Sequence, residues 1–201
     1  KEKTLIEQPL FWIVFVVLVV LLAFLAAQLV GRARLNQIKR RQQEYKNIVV
    51  QSLQTFANAI DAKDPYTNGH SMRVAHYSRE IARRMGMTEE QQENIYFVAL
   101  LHDIGKIGIP DEILNKPGKL TAEERAVIQR HVEIGGDILK DFSALEGISE
   151  GAKYHHERYD GTGYTKGIAG EDIPILARII GVADTYDAMA SDRCYRKALS
   201  K

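Results

Sequence analysis

The sequence has little cysteine, little proline and almost no net charge: one Cys, 5 Pro, and 27 basic against 26 acidic side chains in 201 residues. The single cysteine, Cys194, excludes an internal disulfide framework and is typical of a reducing compartment. A net charge of +1 gives no bulk electrostatic reason to bind a nucleic acid polymer. Strand-like alternation and internal repeats are also missing, so we predict that the main domain is all-α.

One long apolar run stands out at residues 10–30, where Gln28 is the single polar side chain. As a helix this run covers roughly 30 Å, the thickness of a bilayer's hydrocarbon core. Trp12, near one end, suits a membrane interface. A cleaved signal peptide is the alternative, but its apolar region is about 7–15 residues long and follows a basic segment. The flank at 1–9 is neutral on balance, so we predict a retained transmembrane helix.

Basic residues crowd just after this run, at Arg32, Arg34, Lys39, Arg40 and Arg41. Basic residues beside a membrane span tend to stay in the cytoplasm. We therefore expect a single-pass protein of the cytoplasmic (inner) membrane with the domain that follows Arg32 in the cytoplasm. The same cluster could contact anionic lipid head groups, and the sequence does not separate this role from a topology signal.

A helical linker is expected at residues 31–59, because the sequence from Leu35 to Lys63 contains no Gly or Pro. Its apolar residues follow part of a heptad frame: Leu35, Ile38, Tyr45, Val49, Phe56 and Ala59. This pattern predicts a coiled coil that joins two copies of the chain. The alternative is a helix that packs on its own domain, which we favour for residues 56–60.

Local signals predict several further helices. The amphipathic stretch His70–Met85 ends at Gly86, a favourable residue just after a helix. Thr88 with Gln91 forms a capping box, which predicts a helix that continues to residues 102–103.

A second capping box, Thr121 with Glu124, predicts the start of a helix that carries His131. Two more helices are expected at 145–156 and 175–190. The glycine-rich stretch between them is predicted to be a surface loop.

The His102-Asp103 pair directly follows the apolar residues 96–101. A buried carboxylate without a partner costs several kcal/mol, and a metal ion would be a natural partner. His and Asp bind transition metals through nitrogen and oxygen. The chain is therefore interpreted first as a metalloenzyme.

Seven candidate ligands lie on five predicted helical segments: His70, His102, Asp103, His131, His155, His156 and Asp184. This set exceeds the three or four protein ligands that one zinc ion usually takes. It favours two metal ions with Asp103 as the bridge. Its mixed nitrogen and oxygen atoms suit iron or manganese better than magnesium, with zinc as a further alternative. The sixth histidine, His76, is expected to lie outside the site.

Motifs around these ligands resemble the HD-GYP domain, a branch of the HD phosphohydrolase superfamily. The matching stretches, from about Ile60 to the C-terminus, are Lys63-Asp64-Pro65-Tyr66-Thr67 with His70, then 101–110, 129–131, 155–164, 183–184 and 192–196. The resemblance implies an all-α HD-domain helical bundle at residues 60–201. It also implies that the bundle's last helix is cut short at Lys201.

The resemblance further implies a phosphodiesterase that hydrolyses cyclic di-GMP to pGpG, and onward to GMP in a second cut. His70, His102, Asp103 and Asp184 would hold one metal, and the other would be held by Asp103, His131, His155 and His156. A metal-bridging hydroxide would attack the phosphorus in line, as two-metal sites allow. A third metal is disfavoured, since the family's additional Glu is here Tyr66.

Other side chains receive roles from the same resemblance. Lys106 would sit beside the metals and meet the scissile phosphate, so Lys106 and Asp103 are the predicted catalytic residues. Tyr164 would stack on a guanine, while Arg193 and Arg196 would clamp the substrate. A diguanylate cyclase is an expected partner. The alternatives are another cyclic dinucleotide or nucleotide as substrate, or a non-catalytic cyclic di-GMP receptor or docking module.

The chain departs from the family where Gly-Tyr-Pro is replaced by Gly163-Tyr164-Thr165. Because Thr lacks the fixed φ of Pro, this change predicts a more mobile loop. For Glu157, at the start of that loop, two explanations stay open: a partner that orients a ligand histidine, or a solvated helix end.

Overall fold

The structure, a computed structural model, describes residues 8–64 and 69–191. Every regular element in these two ranges is helical, which confirms the predicted all-α class. The α-helices are α1 (Pro9–Lys63), α2 (His70–Arg84), α3 (Glu89–Leu100), α4 (Asp111–Leu114), α5 (Ala122–Gln129), α6 (His131–Leu139), α7 (Ile148–Tyr154) and α8 (Ile175–Ala190). Two 3₁₀ turns, Ile104–Gly108 and Gly170–Asp172, complete the elements.

The predicted span and linker form one continuous helix, α1. Its apolar part has a mean hydropathy of 3.2 over 18 residues, all of them exposed, so α1 is long and apolar enough to cross a membrane. A signal sequence near the N-terminus would satisfy the same two criteria. The chain divides into two compact units, Lys1–Val50 and Gln51–Lys201.

In the second unit, the end of α1 contributes three core residues: Leu53, Ala57 and Ile60. Phe56, by contrast, is 59% exposed, so the packing on the domain that we favoured for residues 56–60 holds for Ala57 and Ile60 but not for Phe56. The face that packs on the domain is therefore distinct from the heptad face on which Phe56 lies.

The rest of the second unit is built from two packed groups of helices. One group packs α2 against both α3 and α8, and the other packs α6 against α7 and the turn at Ile104–Gly108. Val74, Val98 and Ile180 are fully buried and fill the core of the unit. The capping box of Thr88 and Gln91 is present, with both reciprocal hydrogen bonds, at 3.0 and 3.2 Å.

The capping box of Thr121 is also present, but the helix that follows it does not carry His131. That helix ends at Gln129, and His131 is the first residue of α6. The reason is local: the Ile128 carbonyl accepts a hydrogen bond from the His131 ring at 2.7 Å. The helix expected at 145–156 is likewise shorter, because Gly147 precedes it in a left-handed conformation with φ 70°.

Candidate metal centre

The seven predicted ligands lie together and form two groups. One comprises Asp103, His131, His155 and His156, and the other His70, His102 and Asp184; within each group, the donor atoms lie within 4.8 Å of one another. Asp103 faces both: its Oδ1 is 3.3 Å from His131 Nε2, and its Oδ2 is 3.4 Å from His102 Nε2. Asp103 therefore lies where a bridging ligand would.

Helix ends position most of these side chains. His70 begins α2, and His131 begins α6. The His102-Asp103 pair follows the end of α3, whereas Asp184 lies within α8. Because the chain turns at these ends, two adjacent side chains such as His102 and Asp103 can both face the centre, which one face of a continuous helix would not allow.

Three of the histidines are oriented in the same way. The Nδ1 atoms of His102, His131 and His155 lie 2.7, 2.7 and 2.8 Å from the carbonyl oxygen three residues earlier. Since a carbonyl only accepts, each Nδ1 carries the proton and each Nε2 presents a lone pair to the centre.

These lone pairs show that the residues fit a metal. His102 Nε2 is buried without a hydrogen-bond partner. His131 Nε2 and His155 Nε2 lie 3.5 Å apart, although both are acceptors. A cation satisfies such an arrangement, and neutral imidazole with carboxylate is a donor set that transition metals prefer.

Burial and neighbouring charges affect the pKa values of the histidines differently in the two groups. Burial lowers the pKa of His156 to about 4, and it lowers the pKa values of His131 and His155 as well. Burial also opposes protonation of His70, but hydrogen bonds to Asp184 and Asp187 outweigh it and raise its pKa to about 9. In the metal-free protein His70 is therefore protonated, and its Nε2 proton faces Asp184 where a metal ion would bind.

Lys106 lies in the 3₁₀ turn beside this centre. Its Nζ donates to Asp64 Oδ2 and pairs with Asp103 Oδ2, both at 2.8 Å. Burial opposes the charge of this lysine, but these two carboxylates hold its pKa above the usual value. Gly105 allows the turn to pack closely, because a Cβ there would collide with the His131 carbonyl.

Tyr164 stacks on a ligand histidine. Its ring lies 4.8 Å from that of His156, at an interplanar angle of 29°, and it also lines the cleft above the centre. The neighbouring Thr165 has φ 130°, a conformation that is unfavourable for a β-branched residue, and its hydroxyl donates to the Lys153 carbonyl at 3.0 Å. Proline could not adopt this φ.

Glu157 is buried rather than solvated. Its Oε1 accepts hydrogen bonds from the backbone of Lys166 and Gly167 at 2.7 and 3.1 Å. Glu157 therefore anchors the loop that carries Tyr164, and the Thr165 hydroxyl adds a further hydrogen bond from the same loop. The expected mobility of this loop stays a prediction.

Two carboxylates were not among the predicted site residues. Asp187 Oδ2 lies 2.7 Å from His70 Nδ1, and Asp64 pairs with Lys106. Asp187 follows Asp184 by three residues on α8, a spacing that places both on one face. That spacing was a signal for Asp187.

The cleft above the centre has a volume of about 1430 Å³ and is lined by residues of both ligand groups. Lys116, Lys119 and Arg125 also line it. His76 is exposed and belongs to neither group. Tyr66, Arg193 and Arg196 lie outside the described residues.

Comparison with known proteins adds independent information. The family described as HD domain matches residues 54–201. The cyclic di-GMP phosphodiesterase response regulator RpfG of Xanthomonas campestris is 42% identical over 169 residues, which cover 83% of this chain and 43% of that protein. The 3′3′-cGAMP-specific phosphodiesterase 3 of Vibrio cholerae is 43% identical over 144 residues, which cover 72% of this chain and 31% of that protein.

A solved structure supports the fold. Bd1817, a HDG"Y"P protein from Bdellovibrio bacteriovorus, superposes with a TM-score of 0.53 and 26% identity, covering 60% of this chain and 40% of that one. The chain thus spans less than half the length of the two curated relatives above.

Proposed function

The chain belongs to the HD domain family, as its motifs predicted, and we propose that it hydrolyses cyclic di-GMP to pGpG as a metal-dependent phosphodiesterase. The observation that carries the proposal is the pair of ligand groups that face Asp103 from either side. The relatives named as cyclic di-GMP phosphodiesterases support the choice of substrate.

In this proposal, two divalent ions are held by the two groups, with Asp103 contributing to both. Such a pair of ions supplies a water that ionises near neutral pH and positive charge at the phosphoryl oxygens. Iron or manganese fits the five histidines and two carboxylates best. The backbone hydrogen bonds at Nδ1 of His102, His131 and His155 hold the rings ready for this task.

Lys106 provides the charge that the protein itself brings to the reaction. Because two carboxylates hold it protonated, it can donate to a non-bridging phosphoryl oxygen as negative charge develops there. Asp64 keeps the ammonium group next to Asp103 while it does so.

Substrate contacts are assigned to the walls of the cleft. A cyclic dinucleotide carries two phosphates, and Lys119 and Arg125 line the same cleft as Lys106 and are suited to the second. Arg193 and Arg196 keep their proposed role as a phosphate clamp. Tyr164, which lines the cleft, keeps its proposed role of stacking on a guanine.

The membrane location and the oligomeric state are proposed from α1. Residues 10–30 cross the inner membrane, and the catalytic domain lies in the cytoplasm. Leu35, Ile38, Tyr45 and Val49 are 54–68% exposed, which supports a homodimer formed through this part of the helix. A diguanylate cyclase is a proposed partner.

A substrate panel tests the proposal. The full chain, purified in detergent with Mn²⁺ or Fe²⁺, is expected to release pGpG from cyclic di-GMP with a kcat/KM at least tenfold above those for 3′3′-cGAMP and cyclic di-AMP. A preference for either competitor would change the substrate and keep the reaction. Binding of cyclic di-GMP without turnover by a metal-loaded sample would contradict the enzyme and favour a receptor.

A further inference from the structure

Asp187 is a buried carboxylate outside both ligand groups. It lies on α8, is 2% exposed and approaches His70 Nδ1 at 2.7 Å through Oδ2. Arg73 binds the same carboxylate with two donors, Nε to Oδ1 at 2.7 Å and Nη2 to Oδ2 at 3.0 Å. The Ser191 hydroxyl lies 3.4 Å from Oδ1.

This contact leaves the other nitrogen of His70 for the metal centre. His70 Nε2 points to Asp184 Oδ1 at 3.2 Å and to Asp103 Oδ2 at 3.9 Å. A carboxylate at Nδ1 keeps a proton on that atom, so a metal ion replaces the proton on Nε2 and binds the lone pair there. It also makes the imidazole a stronger metal ligand.

Among the described ring hydrogen bonds, His70 is thereby distinguished from the other ligand histidines. His102, His131 and His155 each use a neutral backbone carbonyl. His70 alone uses a charged acceptor, and Arg73 fixes the orientation of that acceptor. The ion pair also joins α2 to α8, which carry His70 and Asp184.

We propose that Asp187, held in place by Arg73, is a positioning residue that sets the metal affinity of the group formed by His70, His102 and Asp184. The other group, with His131, His155 and His156, keeps its affinity when Asp187 is changed. The inference rests on the proposed metal-dependent function, but it concerns metal binding and not turnover.

An Asp187→Asn substitution tests this role. In the wild type, His70 and Arg73 both donate to the Asp187 carboxylate, which has two acceptor oxygens. The Asn side chain has only one acceptor oxygen. Arg73 has only donors, so it competes for this oxygen and turns the amide NH₂ toward His70. The imidazole then accepts at Nδ1 and carries its proton on Nε2, where it blocks the metal.

The measurement is a Mn²⁺ titration of the metal-free full chain in detergent. We expect two tight ions in the wild type and a 10–100-fold weaker affinity for one of them in Asp187→Asn, the range for lost outer partners of ligands. The second affinity should change less than threefold. When one equivalent of Mn²⁺ is added to the variant, the ion should occupy only the unaffected site. Its electron paramagnetic resonance spectrum should then be that of a single Mn²⁺ ion without a neighbour.

The matched control is Asp61→Asn. Asp61 is also a buried carboxylate near His70 and His102, whose charges act on it, but its hydrogen bonds go to Ser71, at 2.6 and 3.2 Å, and not to a ligand ring. Both affinities should stay within threefold of the wild type. Equal losses in the two variants would show a general structural effect and overturn the assignment.

Arg73→Gln covers the case in which Asp187→Asn does not fold. The Arg73 side chain is 40% exposed, and its loss should weaken the same single site by a smaller factor. Two unchanged affinities in Asp187→Asn, or in Arg73→Gln if the former is unfolded, would overturn the inference. Neither result would affect the proposed hydrolysis, which the substrate panel tests separately.

Discussion

His131 Nε2 and His155 Nε2 lie 3.5 Å apart, and both nitrogens are acceptors because their Nδ1 atoms donate to backbone carbonyls. Two lone pairs at this distance repel each other unless a cation lies near them. The backbone carbonyls at these helix ends orient both rings, so the fold itself determines that the two lone pairs face each other. It also predicts how the protein behaves without metal.

The metal-free chain should be most stable near pH 6.5. The folded-state pKa of His156 is lowered to about 4 by burial, and those of His131 and His155 are lowered too. Between about pH 6.5 and 4 the unfolded chain binds the His156 proton first, so this group lowers the free energy of unfolding on acidification by up to about 1.4 kcal/mol per pH unit. The lowered pKa values of His131 and His155 act in the same direction.

On the alkaline side the sign reverses. The pKa of His70 is raised to about 9, so its stabilising contribution is complete below pH 6.5 and is lost as the pH rises toward 9. Urea unfolding of the full chain with chelator, from pH 4.5 to 9, measures the profile. Stability that rises steadily to pH 9 would contradict the account.

Lys106→Gln should lower kcat by about 10²–10³-fold, because it removes the charge that meets the phosphoryl oxygen. The Mn²⁺ stoichiometry should stay the same, since Lys106 is not a ligand. Steady-state kinetics and metal analysis of one sample check both statements, with the exposed Lys140→Gln as the control. A kcat within threefold of the wild type would exclude the proposed role.

Thr165→Pro, which restores the family's residue, should reduce activity. Proline requires φ near −65°, whereas Thr165 has φ 130° and bonds the Lys153 carbonyl. The backbone must rearrange, and we expect a loss of about 1–3 kcal/mol in the free energy of unfolding, as is usual for incompatible backbone changes.

Thr165→Gly separates the two effects of that change. Glycine adopts φ 130° without steric cost, so this variant loses only the hydroxyl and should stay closer to the wild type. Kinetics and thermal unfolding of both variants give the answer. Activity of Thr165→Pro at or above the wild-type level would show that the loop does not depend on this conformation.

Gly181→Ala should destabilise the domain although it lies within a helix. Helix propensity alone favours Ala by about 1 kcal/mol. The new Cβ, however, would lie 2.6 Å from the carbonyl oxygen of His155, so α8 must shift away from a ligand. We expect a lower melting temperature and weaker Mn²⁺ binding.

Gly31→Ala is the matched control for this substitution. Gly31 also lies within a helix, but a Cβ there meets nothing within 4 Å. The melting temperature should be equal to or higher than that of the wild type, because only helix propensity changes, and Mn²⁺ binding should be unchanged. Equal behaviour of the two variants would mean that the close approach at Gly181 has no consequence.

Much of this architecture was predictable because its signals are local. The capping boxes at Thr88 and Thr121 involve residues three apart, and both are present. The candidate ligands could be chosen because His and Asp are unfavourable beside apolar runs. The break before His131 could not be predicted, since it depends on a ring that turns back to the Ile128 carbonyl.

Partners that are distant in sequence were the main gap. His70 and Asp187 are 117 residues apart, Arg73 and Asp187 are 114 apart, and Asp64 and Lys106 are 42 apart. Each pair exists only because packing of the helices brings its members together. The positive φ of Thr165 was also hidden, because no local signal marks it; the structure shows it together with a hydrogen bond from the Thr165 hydroxyl to the Lys153 carbonyl.

The most direct test of the central claim is a metal count coupled to turnover in one sample. The wild-type chain, reconstituted with Mn²⁺ or Fe²⁺, should hold two ions and release pGpG from cyclic di-GMP. The variant that combines His102→Ala with Asp103→Ala should lose metal and turnover together, because Asp103 faces both groups. Turnover by a chain that holds fewer than one ion, or a folded wild type with two ions and no turnover, would contradict the account.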